Sequence, residues 1–206
     1  MDEEYDLPAG RFSTWLSDMR AALRSEGDAD VPCAGCTACC RASQFIPIGP
    51  DEHDTLEHIP AELLFPAPHL PPGHLVLGYD GRGHCPMLVD NRCSIYPHRP
   101  RTCRTYDCRL FAATGVSVDG DDPPKAEIAA RVRRWRFGFP TPADRTEGDA
   151  ARAAAAWLER HPDGAPPRTA TQRAVMAIKV LDAFMEPGSG VVAGPDPDTV
   201  DRATRR

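Results

Sequence analysis

The 206-residue chain lacks any long hydrophobic run. Its longest apolar stretch, AAAAWL at 153–158, is far too short to cross a bilayer. The opening MDEEYDLPAG is acidic and has no apolar core, so it does not read as a secretory signal. Together these place the protein in the cytoplasm, with no membrane partner. Several catalytic signatures are missing as well. There is no G-x-x-x-x-G-K-[ST] for phosphate, no G-x-G-x-x-G for a dinucleotide and no G-x-S-x-G for a serine nucleophile. The C-x3-C-x2-C spacing of radical enzymes is absent, and so is an internal repeat. A net charge of −6 disfavours nucleic acid as a partner.

Cysteine is scarce over most of the chain and absent after Cys108, yet eight are present. Four fall in CAGCTACC at 33–40, and the others are Cys85, Cys93, Cys103 and Cys108. In a reducing compartment such a pattern favours metal over disulfides. Cys33, Cys36 and Cys39 follow C-x2-C-x2-C, a spacing that lets successive thiolates converge on one centre, as in zinc knuckles and iron–sulfur sites. Cys39 and Cys40 are adjacent, and neighbouring side chains leave the backbone in different directions. Cys40 is therefore expected to serve a second centre or to replace another ligand. Eight thiolates suit two four-coordinate sites. Structural zinc and an iron–sulfur cluster both satisfy this spacing, and the division of cysteines between sites stays open.

Five arginines, Arg92, Arg99, Arg101, Arg104 and Arg109, stand among the later cysteines against one acid, Asp107. Four thiolates around a metal leave net negative charge, and buried charge needs partners. Arg99 and Arg104 are expected to supply it, with N–H groups for bound sulfurs. His84 and His98 are alternative ligands. His53 and His58 are spaced one residue too far apart for H-x-x-E-H and are set aside. Arg131, Arg133, Arg134 and Arg136, around Trp135, read as the polar side of a helix.

Residues 33–108 resemble the CxxCxxCC, or YkgJ, family of cysteine-cluster proteins. The likeness rests on CAGCTACC, Cys85-Pro86, Cys93 with Ile95 and Tyr96, Arg99-Pro100, Cys103-Arg104 and Cys108. It implies a zinc- or iron-chelating domain. Some relatives are flagellin lysine methylases carrying a [4Fe–4S] cluster, which favours iron–sulfur over zinc. A zinc-stapled module whose C-terminal helices contact a protein partner is the rival reading.

The expected fold is α+β: a small metal-stapled, cysteine-rich domain with a short β-hairpin and several helices, mostly α with much loop. With 22 prolines and 16 glycines, loop should be abundant. The expected segments are an N-terminal helix in 1–30, a cysteine-cluster domain at 31–114, a helical region at 125–186 packing on it, and a disordered tail at 187–206. In the first, Phe12, Trp15, Leu16, Met19, Ala22 and Leu23 form a helical apolar stripe that Gly27 should end. Further helices are expected at 51–58, within 100–111, and at 125–137, 149–161 and 169–186. Asp90 and Asn91 should turn a hairpin between Cys85 and Cys93.

Overall fold

The computed structural model describes residues 5–29, 31, 35–118, 123–161, 169–186, 195, 199–200 and 202. The fold is mixed α+β with much loop, its strands lying in separate small sheets. Cys33 and nearly all of the 187–206 segment expected to be disordered lie outside the described residues.

Strand β1 (Leu7–Arg11) leads directly into helix α1 (Phe12–Leu23). The apolar stripe read from the sequence is buried on α1: Phe12, Trp15, Leu16, Met19 and Ala22. The helix stops at Leu23, short of Gly27. Ser25 takes a left-handed φ of 60°, and the amides of Arg24, Ser25 and Glu26 close on the last helical carbonyls.

Three short strands, β2 (Ile46–Ile48), β3 (Leu64–Pro66) and β4 (Leu75–Leu77), form an antiparallel sheet with β4 in the middle. Helix α2 (His53–Glu57) lies within the segment expected at 51–58. The hairpin of β5 (Leu88–Val89) and β6 (Arg92–Cys93) turns on Asp90 and Asn91, with φ of 48° and 58°. Two consecutive left-handed residues give the turn whose twist matches antiparallel strands.

The segment 100–111 holds parts of two helices rather than one. Helix α3 (Arg101–Thr105) ends at an extended Tyr106, and α4 (Arg109–Thr114) starts after Cys108. Gly115, at φ 72°, ends α4 in a conformation that a side chain would strain. Helix α5 (Ala126–Val132) is shorter than expected, because Trp135–Gly138 form strand β7. Trp135, Phe137 and Phe139 alternate with Arg136 and Gly138, a strand period that the surrounding arginines disguise.

Helix α6 (Pro142–Arg160) begins seven residues before Asp149, the expected start. A Thr141–Asp144 capping box sets its N-terminus, with proline in the first turn. Helix α7 (Ala170–Val180) starts at the Thr169–Gln172 capping box and continues as a tight turn over Leu181–Phe184.

The main core joins α1, α4, α6 and α7. Ala150, Ala151, Ala154 and Ala155 on α6 meet Ala174, Ala177 and Ile178 on α7, small side chains that let the two backbones approach closely. Parallel pairing of β1 with β7 brings Leu7 opposite Trp135 and Gly10 opposite Phe137. A second, smaller core under the cysteine segment contains Ala9, Ala38, Ala42, Cys108, Ile128 and Trp135. No described helix is long and apolar enough to cross a membrane.

Candidate metal centre

The cysteine-rich loop 36–40 is pinned by its alanines. Ala38 and Ala42 are buried in the smaller core, while Cys39 and Cys40 occupy a single helical turn, Cys39–Arg41, between them. Gly35, at φ 74°, turns the chain just before Cys36. Burying the small residues leaves the thiols on the outside of the turn.

Two backbone bonds stitch this loop to the next cysteine. The Cys85 amide donates to the Cys40 carbonyl at 2.7 Å, and the Ser43 amide donates to the Gly83 carbonyl at 3.0 Å. Gly83 sits at φ 79°, where a side chain is strained, and a Cβ there would approach Ser43 Oγ to 2.3 Å, so Ser43 would have to turn away. The loop is held further by Asp80, whose Oδ1 accepts from the amides of Arg82 and His84 at 2.8 and 2.9 Å. Those amides, the His84 bond first, lower the Asp80 carboxyl to about 2.

Past Pro86 the chain folds back on Cys85. Burial pushes this thiol up, and the backbone N–H groups of Met87 and Leu88 oppose that by hydrogen bonding. Such donors favour a thiolate over a thiol. The β5–β6 register sets Cys93 opposite Leu88, and the Cys93 and Cys85 thiols feel each other electrostatically.

Cys103 completes this neighbourhood from α3. Glu52, itself buried, fixes the start of that helix by accepting from the amides of Gly49 at 2.8 Å and Arg101 at 2.5 Å. Thr102 Oγ1 donates to the Pro47 carbonyl at 2.8 Å. Cys103 keeps exposed surface, yet it is crowded by protein on its other sides. That crowding, then the nearby Cys40, Cys85 and Cys93 thiols, push it up to about 12, with Arg99 acting in opposition. Four cysteines from three segments therefore share one electrostatic neighbourhood.

The other described cysteines meet elsewhere. Cys108 is buried at the start of α4, and Trp135 Nε1 donates to its sulfur at 3.2 Å. Cys36 packs on the same small core. Tyr106 lies between: burial pushes its phenol up strongly, and Cys39 and Cys108 add to the shift. Cys39 and Cys108 thus act on Tyr106, and Cys40 acts on Cys103.

Distances within the two groups are wider than a single ion demands. The tetrahedral Zn–S bond of 2.3 Å separates neighbouring sulfurs by about 3.8 Å. Among the described residues, no three cysteine sulfurs lie within 4.8 Å of one another. The group that meets this limit is Asp54, His58 and His98. His98 Nδ1 reaches Asp54 at 2.8 Å, and the two imidazoles stack at 3.6 Å with planes 5° apart. A metal lies in the plane of an imidazole that binds it, and parallel planes cannot both contain one ion placed between them. His98 is thus engaged with α2, and the His84 amide serves the Asp80 loop.

The arginines are less free than local sequence suggests, because Asp51 and Asp28 come from distant segments to join the local Asp107. Arg101 pairs with Asp51 at 2.6 Å, Arg104 with Asp28 at 3.7 Å and Arg109 with buried Asp107 at 2.8 Å. Asp107 also accepts from Trp15 Nε1 at 2.8 Å, tying α1 to the cysteine segment. Arg99 lies over the Tyr96 ring at 4.0 Å and acts on Cys103. Nε of Arg41 and of Arg104, the residues directly after Cys40 and Cys103, are buried without a hydrogen-bond partner. Trp135 is the participant that sequence reading missed. Its signal was the alternation of Trp135, Phe137 and Phe139.

Residues 32–121 match the family CxxCxxCC, described as "Putative zinc- or iron-chelating domain". The chain therefore carries a CxxCxxCC domain. Its cysteine segments, Cys36 to Cys40 and Cys85 to Cys108, all fall inside the match, whereas α1, α6 and α7 fall outside. That description supports metal binding by residues 32–121. No curated protein and no solved structure matches the chain.

Proposed function

We propose that the CxxCxxCC domain holds two metal centres through its eight cysteines, and that the one at Cys103 is a [4Fe–4S] cluster. Cys40, Cys85, Cys93 and Cys103 hold that cluster. Cys36, Cys39 and Cys108 hold the second centre, with Cys33 as its fourth ligand from the C-x2-C-x2-C spacing. The observation carrying this reading is the shared neighbourhood of Cys103 with Cys40, Cys85 and Cys93.

Two features favour a polynuclear core over one zinc ion. The described sulfurs are spread wider than a tetrahedral ion tolerates. A cluster attaches its thiolates to separate iron atoms, which sets them further apart. In addition, the Nε groups of Arg41 and Arg104 lack protein acceptors, and acceptor sulfur would satisfy them.

When bound, a cluster supplies one-electron chemistry. The protein supplies the rest. Arg99 offsets negative charge at Cys103, Met87 and Leu88 N–H groups favour the Cys85 thiolate, and Trp135 donates to Cys108. Buried Ala38, Ala42 and Ile128 keep water from the Cys108 side. The role that follows is electron transfer or redox sensing in the cytoplasm.

Anaerobic purification tests this directly. Brown protein containing iron and acid-labile sulfide is the expected result. Colourless protein with two zinc ions and no sulfide would replace it with the zinc-stapled interaction module.

A further inference from the structure

The arginine run around Trp135 does not form one face of a helix. Because α5 ends at Val132 and β7 starts at Trp135, the chain turns between them. Arg133 and Arg136 are left at the mouth of an open cavity of about 480 Å³, and Arg152 reaches it from α6. That volume suits a small molecule. Its lining mixes polar and apolar surface, with Phe111, Val116, Val132, Phe137 and Phe139 on the apolar side.

Among the described residues, the lining contains three arginines and no acidic side chain. Arg136 pairs with Asp6 at 3.0 Å. Arg133 and Arg152 make no side-chain ion pair with a described residue. Both guanidinium groups stand beside the half-buried rings of Phe137 and Phe139 in the lining. Guanidinium matches carboxylate and phosphate by paired N–H donors, while aromatic walls remove a flat apolar body from water.

We propose that this cavity binds a small organic anion, a carboxylate or phosphate carried on a flat apolar body, with the anionic group between Arg133 and Arg152. The body lies against Phe137 and Phe139, the half-buried aromatic rings of the lining. Binding itself does not depend on which metal the cysteines hold.

The test uses full-length protein as purified, with its metal, and calorimetry at low salt. The probes are 1-naphthoate, 1-naphthyl phosphate and neutral 1-naphthylmethanol, which share one apolar body. One saturable site is expected, with at least one anion bound about tenfold tighter than the alcohol, equivalent to about 1.4 kcal/mol. The tighter anion identifies the head group. Arg133→Glu and Arg152→Glu, both at exposed positions, should each weaken that anion about tenfold with metal content unchanged. Arg152→Lys should lose less than Arg152→Glu. Equal affinity for alcohol and anions, no saturable binding, or full affinity in both charge-reversed variants would overturn the proposal. The Cys103→Ser variant should bind the anion normally even if its metal is lost, which separates this inference from the metal assignment.

Discussion

The Cys85 amide donates to the carbonyl of Cys40 at 2.7 Å, so residues 45 positions apart are joined backbone to backbone. That bond, the Ser43–Gly83 bond beside it and the side-chain bond from Arg41 to Asn91 register the loop at 36–40 against the hairpin carrying Cys93. Gly83→Ala adds a Cβ 2.3 Å from Ser43 Oγ at a left-handed backbone position. We expect it to destabilise the protein by about 1–3 kcal/mol and to reduce metal content. Thermal melting with elemental analysis checks both, and a normal melt with full metal would show that the stitch is dispensable.

Two separate neighbourhoods predict two separable losses. Cys103→Ser should remove the metal held with Cys40, Cys85 and Cys93 and leave the Cys108 centre loaded. Cys108→Ser should do the reverse. Each variant should lose the metal of its own centre and keep that of the other, since binding and folding are coupled locally. Loss of all metal from both variants would point to one shared centre.

Trp135→Phe keeps an aromatic body in the small core but deletes the N–H that reaches Cys108 at 3.2 Å. A hydrogen bond to a charged acceptor contributes about 1.5–3 kcal/mol. The thiolate should become more basic, and the centre should release its metal to a chelator faster while the circular dichroism spectrum stays the same. Unchanged release kinetics would mean that the indole only fills space.

Metal-free protein should show an alkaline weakness that loaded protein lacks. The Cys103 thiol is raised to about 12, above the ordinary thiol range near 8.5. Folded chains then hold this proton where unfolded chains have lost it. The contribution is complete below about pH 8.5 and disappears as pH rises toward 12. In the loaded protein the sulfur is already a thiolate, so this slope vanishes. Denaturant melts of both forms from pH 7 to 10 measure the difference, and metal uptake at pH 7 should release protons into a weak buffer.

The helical stripe on α1 and the Asp90–Asn91 turn were legible because each depends on residues close in sequence. Phe12, Trp15 and Met19 repeat at the helical period, and an Asp-Asn pair accepts left-handed backbone. What stayed hidden was long-range. Arg101 and Arg104 looked unneutralised until Asp51 and Asp28 arrived from other segments. Trp135 looked helical because arginines flank it, and only parallel pairing with β1 makes that segment a strand. The start of α6 was missed because Thr141 and Asp144 lie among prolines, which drew attention from a capping box.

Asp144 links the first helix to that cap. It is fully buried, and its Oδ1 accepts from Arg11 Nε at 2.9 Å, from the Ser13 amide at 3.1 Å and from Ser13 Oγ at 2.6 Å. Its Oδ2 accepts from the Thr141 amide at 3.0 Å, closing the capping box of α6. Arg11 first, then the serine and threonine donors, hold the carboxyl well below the usual carboxylate range. Its contribution to stability is therefore present above the unfolded value of about 3.9 and is lost as pH falls through the much lower folded one. Asp144→Asn should melt well below the parent at pH 7, because the charge and one acceptor are gone. The gap should narrow as pH drops below about 4, where the parent begins to protonate in the unfolded state. Thr141→Ala, which removes the hydroxyl that accepts from the Asp144 amide and donates to its carboxylate, should cost about 1 kcal/mol and weaken part of the pH dependence. A gap for Asp144→Asn that stays constant from pH 7 to 3 would show that the carboxylate charge does not hold α1 and α6 together.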